Sequence, residues 1–308
     1  MPDGVPRYDD LPLIETLGFA HAWGVFGEGD QVGTLNRLTP ERVLAALALV
    51  RDGVVVNLAL PLNEPDPPLS GRRPYVHVVE ALDRNTFDDR LDSFSLQASS
   101  QWDGLRHLRA REFGFYGGET SDPAPGAGPL GVDAYAEHGI VGRGVLLDVA
   151  RFVDGFDPLS GEPVEVVTLL SCAEAQGVEL RPGDILCLRF GWTTAYRALT
   201  GEERAEYALE ARAAGLAAGE DMARFLWDAG FAALVSDNPA VEAAPGTPGE
   251  YLHRRVLPLL GFALGELFDL DRLAELAAAD GRYEFAFVGV PLNVPGGVGS
   301  PANAIAIR

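Results

Sequence analysis

The string Ser99 to Leu108, SSQWDGLRHL, brings together an amide (Gln101), a large aromatic (Trp102), a carboxylate (Asp103) and an imidazole (His107). A carboxylate and an imidazole within reach of each other can hold a cation or pass a proton. The same letters also fit an ordinary loop, because Asp followed by Gly is a turn signal. The chain has only five histidines, His21, His77, His107, His138 and His253, so any acid–base or metal site has to combine these with carboxylates and amides. His253 and Glu266 stand far along the chain in LHRRVLPLLGFALGELFDL. A carboxylate set among Gly265, Leu267 and Phe268 either reaches the surface or needs a partner, since burying it alone costs several kcal/mol. A divalent cation shared with His253 and Asp103 would be such a partner.

The elements that must position these groups read as alternating strands and helices. Thr39, Pro40 and Glu41 open a helix as N-cap, first helical residue and favourable first-turn charge. GVVVNLALPL, GRGVLLDVA, GDILCLRFGW, AALVSD and YEFAFVGVPL read as strands. VTLLSCAEAQG, LHRRVLPLLG and LFDLDRLAELAAADG read as helices, and a long helix is expected from about Glu202 to Ala229, ending at Gly230. SDPAPGAGPLGVD reads as one long surface loop. This alternation implies an α/β protein, a single domain over residues 1–308 with a mixed sheet.

Composition narrows the classes of function. With 45 acidic against 24 basic residues the formal charge is −21, which disfavours nucleic acid and anionic membrane surfaces. No apolar run approaches the roughly 18 residues of a membrane span, and the opening MPDGVPRYDD lacks a signal-peptide pattern, so a cytoplasmic location is expected. Cys172 and Cys187 are too few for a disulfide framework or a thiolate zinc site. GxGxxG after a strand, GxxxxGK[ST] and GxSxG are all missing, which argues against a nucleotide-dependent enzyme and an elbow-type serine hydrolase. The glycines of VPGGVGSPANA precede no convincing helix and have no partnering lysine.

The string from Gln97 to His107, QASSQWDGLRH, aligns without gaps to HxGTHxDxxxH, and in this the chain resembles the cyclase family of metal-dependent hydrolases, which includes bacterial kynurenine formamidase and isatin hydrolase. Asp103 stands at the family's aspartate, His107 at its final histidine and Ser100 at its threonine; Gln97 and Gln101 stand where the family has histidines. GRGVLLDVA, GDILCLRFGWTTAY, AALVSDNPAVE, LHRRVLPLLGFALGELFDL and GSPANAIAI agree in order, from Trp23 to Ile307. The resemblance implies a barrel-like mixed sheet flanked by helices, of the swivelling β/α/β type. It also implies a metal position at Asp103, His253 and Glu266, with Gln101 joining through its carbonyl oxygen or a water. The position that needs both missing histidines is lost, because an amide oxygen is a weaker ligand than imidazole.

Three readings stay open: one divalent ion, manganese or zinc; a metal-free site working on Asp103 and His107 alone; and a silent binding protein on an enzyme scaffold. Under the first, the chain is a hydrolase of an amide, lactam or ester bond in a small cyclic or aromatic molecule. The rival within enzymes is a cyclase, dehydratase or isomerase of a polyketide-like metabolite. If the chain turns helical after Asp103, the i, i+4 spacing brings His107 to the same face, with Cβ atoms roughly 5–6 Å apart, as general base and then acid. Trp102, Gln97, Tyr116 and Phe113 are candidate substrate contacts, although Trp102 fits the core equally well. Ser99 and Ser100 read as backbone hydrogen-bonding residues. Asp237, Asn238 and Glu242 in SDNPAVE lie at a strand end, where ligands often bind, or form a capped turn. The expected partners are a small-molecule substrate and further copies of the chain in a dimer or tetramer.

Overall fold

The computed structural model describes residues 4–126, 128–246 and 251–308. In chain order the strands are β1 (Leu13–Ile14), β2 (Phe19–Ala20), β3 (Val55–Asn57), β4 (Val76–Ala81), β5 (Phe87–Ser93), β6 (Gln101–Asp103), β7 (Ile140–Asp148), β8 (Pro163–Val164), β9 (Ile185–Arg189), β10 (Gly215–Leu216), β11 (Ala233–Ser236), β12 (Ala263–Glu266), β13 (Glu284–Gly289), β14 (Gly299–Pro301) and β15 (Ala304–Ile307). The helices are α1 (Pro40–Leu47), α2 (Val132–His138), α3 (Val149–Phe152), α4 (Val166–Gln176), α5 (Trp192–Ala198), α6 (Gly201–Leu209), α7 (Glu220–Ala229), α8 (Leu252–Val256) and α9 (Asp271–Asp280). None of the helices among the described residues is long and apolar enough to cross a membrane.

A nine-stranded mixed sheet carries the fold, in the order β14-β6-β12-β11-β9-β7-β13-β15-β3. Strands β7, β9, β11 and β12 run parallel at its centre, with antiparallel pairs toward both edges. The residues of β11 are all buried and those of β9 nearly so, matching the unbroken apolar runs that strands covered on both faces require. The sheet curls. Beyond β3, Leu58 donates to the Ala304 carbonyl at 3.0 Å, Ala59 bridges to Phe268, and Leu60 donates to Ser100 Oγ at 2.7 Å, tying one edge back toward β6 and β12. The result is the barrel-like core flanked by helices that the resemblance implied.

Local sequence accounts for most element boundaries. Thr39 caps α1 through a bond from the Arg42 N–H, with Pro40 next in line. The long helix expected from Glu202 to Ala229 is instead two helices. Thr200 and Glu203 form a capping box for α6, and the alanine-rich stretch after it is extended, pairing β10 with β8 and donating from Ala213 to Ala244. Gly215 explains the break: a Cβ there would lie 2.4 Å from the Glu242 backbone, so the segment is a close-packed strip rather than a helix. Strands β4 and β5 form an exposed antiparallel hairpin outside the main sheet, which the sequence pattern did not announce.

Candidate metal centre

Pairing of β6 with β12 builds the centre. Gln101 lies opposite Glu266 and Asp103 opposite Leu264, so the pleat sends Gln101, Asp103 and Glu266 to one face and Trp102 to the other. Trp102 is fully buried, edge-on to Phe268 and Phe287, with its indole N–H on the Ala302 carbonyl at 2.9 Å. Of the two places the sequence allowed it, Trp102 takes the core and is not a substrate contact. His253 arrives from α8 with Nε2 2.9 Å from Glu266 Oε1 and 3.6 Å from Asp103 Oδ2. One ligand atom from each of Asp103, His253 and Glu266 lies within 4.8 Å of the others.

The remaining oxygens of the two carboxylates are spoken for. Gln101 Nε2 donates to Glu266 Oε2, and Gln97 Nε2 donates to Asp103 Oδ1. Gln101 is fully buried, and its Oε1 has no hydrogen-bond partner among the described residues. Gln97 Nε2 also contacts His107 Nδ1 at 3.0 Å. The segment after Asp103 does not turn helical. A tight turn closed by His107 N–H on the Gly104 carbonyl at 2.8 Å brings His107 back instead, its Nε2 3.8 Å from Asp103 Oδ2 and its side chain about one-third exposed.

A residue noted in the sequence without a defined role holds His253 in place. Glu242 accepts from His253 Nδ1 at 2.9 Å and from the Leu252 and His253 N–H groups. Its neighbours are structural: Asp237 accepts from the N–H groups of Phe190, Gly191 and Trp192, and Asn238 donates to the Ala214 carbonyl at 2.8 Å. Ser99 and Ser100 donate to backbone carbonyls, as expected. The structure does not bring Tyr116 and Phe113 to the carboxylate–imidazole cluster. Tyr116 is buried and donates to Asp30 Oδ2 at 3.0 Å, and Phe113 packs in a satellite apolar cluster with Ile14 and Leu259. His138 ends α2 against the Gly139 carbonyl, and His77 pairs with Asp89 on the hairpin.

Burial and mutual charge set the electrostatics. Burial pushes the Glu266 pKa up, the Asp103 charge adds to it, and the carboxyl lies above its usual range. Burial acts the same way on Asp103, but His107, His253 and Gln97 outweigh it and hold this carboxyl below the usual range. Burial alone would lower the His253 pKa; hydrogen bonds to Asp103, Glu242 and Glu266 hold it well above the ordinary value. Two carboxylates and one imidazole thus lie together, and an amide oxygen with no hydrogen-bond partner among the described residues is buried beside them. That donor set fits a hard or borderline divalent cation.

The family described as "Putative cyclase" matches residues 48–243. A crystal structure described as a novel cyclase is 33% identical, covering 94% of this chain and 99% of its own, with a TM-score of 0.84. Isatin hydrolase A from Labrenzia aggregata, bound to benzyl benzoate, is 18% identical over 86% of this chain and 97% of its own, with a TM-score of 0.60. A structure described as a potential metal-dependent hydrolase with cyclase activity is 16% identical over 82% of this chain and 98% of its own, with a TM-score of 0.51. At these identities the last two show a shared fold. No curated protein matches the sequence.

Proposed function

The chain belongs to the cyclase family, and from that premise we propose that it is a metal-dependent hydrolase, opening an amide, lactam or ester bond of a small cyclic or aromatic molecule. The observation that carries this reading is the convergence of Asp103, His253 and Glu266 beside the unpartnered carbonyl oxygen of Gln101. These four side chains would hold one divalent ion, and their oxygen-rich character suits manganese as well as zinc. A divalent ion bound there supplies Lewis acidity toward a carbonyl oxygen and lowers the pKa of water. The names of the two distant structural neighbours lend support to a hydrolytic reaction.

The chain's own residues supply the rest. Glu242 fixes the imidazole of His253 with Nε2 toward the carboxylates. Asp103 and Glu266 each keep one oxygen on the His253 side and give the other to a glutamine amide. His107, partly open to solvent, hydrogen-bonds the substrate through Nε2, the ring nitrogen left over once Gln97 has taken Nδ1. In the overall reaction water adds across the bond: hydroxyl goes to the acyl carbon and a proton to the departing nitrogen or oxygen.

The test pairs metal analysis with product mass. Protein purified without chelator is expected to hold about one equivalent of a divalent ion. Small lactams and esters, isatin first among them, are expected to gain one water. Asp103→Ala and His253→Ala should each lower kcat/KM by at least about a hundredfold. An ion content under about a tenth of an equivalent with turnover intact would overturn the metal part. Products of unchanged mass would replace hydrolysis with ring closure or isomerisation.

A further inference from the structure

Gln97 occupies a place where the chain has made room for it. The main-chain position beside Asp103 on β14 is Gly299, and a Cβ there would lie 2.6 Å from Gln97 Cγ and 2.7 Å from its Cδ. The glycine therefore lets the glutamine side chain lie over the strand and reach Asp103. Asp103 Oδ1 accepts from the amide nitrogen, which fixes the orientation of the amide: turned over, its carbonyl oxygen would face a carboxylate oxygen. The same nitrogen lies 3.0 Å from His107 Nδ1. An NH2 group has two hydrogens and no lone pair to offer here, so Nδ1 must be the acceptor, and a neutral His107 then carries its proton on Nε2.

We propose that Gln97 is a positioning residue: its amide holds Asp103 Oδ1 and His107 Nδ1 together, making His107 a hydrogen-bond donor at Nε2 rather than a base and leaving Asp103 Oδ2 as the oxygen turned toward His253. This rests on the reading of the site given above, and it replaces the general-base role expected of His107 from sequence with that of a donor. A donor suits the carbonyl oxygen or departing atom of the substrate, where negative charge grows as the acyl carbon becomes tetrahedral. Gln101 does the equivalent for Glu266, taking Oε2 and leaving Oε1 to His253. The two amides that stand in place of imidazoles thus each restrict a carboxylate to one inward-facing oxygen.

The experiment has an arm that needs no metal. Long-range nitrogen–proton correlation spectra of ion-free protein labelled with 15N-histidine, at about pH 8.5, report the tautomer of each imidazole. The His107 signals are assigned by their loss in His107→Gln. Expected is the Nε2–H form in the parent and a shift toward a mixture in Gln97→Met, which keeps the side-chain length and removes both donors. In the second arm, titration calorimetry with manganese should show affinity weakened about 10- to 100-fold in Gln97→Met, the usual scale for losing a group that orients a ligand. Gly299→Ala, which leaves the amide in the chain but displaces it, should move both readouts the same way, and it serves if Gln97→Met does not fold. An Nδ1–H tautomer in the parent, or spectra and affinity unchanged in the variants, would overturn the assignment. A parent that binds no divalent ion would defeat the metal reading above, and the tautomer arm would still decide this one.

Discussion

Glu242 decides which nitrogen of His253 faces the carboxylates. Because Nδ1 donates to Glu242 Oε1, Nε2 is the atom left for Asp103 and Glu266. Burial opposes charge on His253, but hydrogen bonds to Asp103, Glu242 and Glu266 raise its pKa well above the ordinary 6.5, which favours the ring with both nitrogens protonated. A raised folded-state pKa contributes stability that is fully present below the ordinary value and lost as pH rises through the folded value. A divalent ion held by His253 would compete with the Nε2 proton, so its binding would weaken at low pH and would offset the lost stability at high pH. Manganese is therefore expected to raise Tm more at about pH 8.5 than at about pH 6, and Glu242→Ala should shrink the rise at both; differential scanning calorimetry measures each. Glu266 stood out in the sequence because an acidic side chain amid apolar neighbours demands a partner, and the resemblance to the cyclase family set Asp103 and His253 beside it. The part played by Glu242 could not be read there, since it depends on its carboxylate meeting the first residues of α8 in the folded chain. Gln97 was legible as a departure from the family pattern and was expected at the substrate; its amide instead meets Asp103 and His107, a pairing that depends on the turn after Asp103.

Among the elements, β7 is pinned by a charge cluster at its junction with β9 and β13. Arg143 donates from one nitrogen to both oxygens of Asp184, at 2.7 and 2.6 Å, and from another to the Glu179 carbonyl and to Glu284. Asp184 is buried, and its pKa is raised by that burial against the opposing effect of Arg143. Removing only the arginine leaves a buried carboxylate without its charged partner, held by the Arg181 N–H. Arg143→Met should therefore cost about 3–5 kcal/mol in urea unfolding, and Arg143→Met with Asp184→Leu should recover most of it. The buried strands at the centre of the sheet were legible because strands covered on both faces are written as apolar runs, as in Ile185–Leu188. The segment from Glu210 to Gly219 misled because alanine favours helix in isolation. Here small side chains serve close packing beside Gly215, and tertiary contact overrides propensity.

At the scale of the molecule, the −21 charge lies over a surface that encloses one large apolar cluster, reaching from Tyr8 to Ala306. The hairpin of β4 and β5 stands outside that cluster. It escaped the sequence reading because its strands, VHVVEA and FDDRLDS, have no consistently apolar face to reveal a period of two. Its tip is the turn Asp83–Thr86, where Asp83 Oδ1 accepts from the N–H groups of Asn85 and Thr86 and Arg84 is exposed. The peptide bond after Arg84 joins two stretches of chain that are already interlocked, because β3 lies before it and pairs with β15 after it. Trypsin should therefore nick the protein there first, giving two bands on a denaturing gel and one undivided particle in native size-exclusion chromatography. Covalent continuity at that tip is thus dispensable to the assembled body, and the chain could be supplied as two complementary pieces.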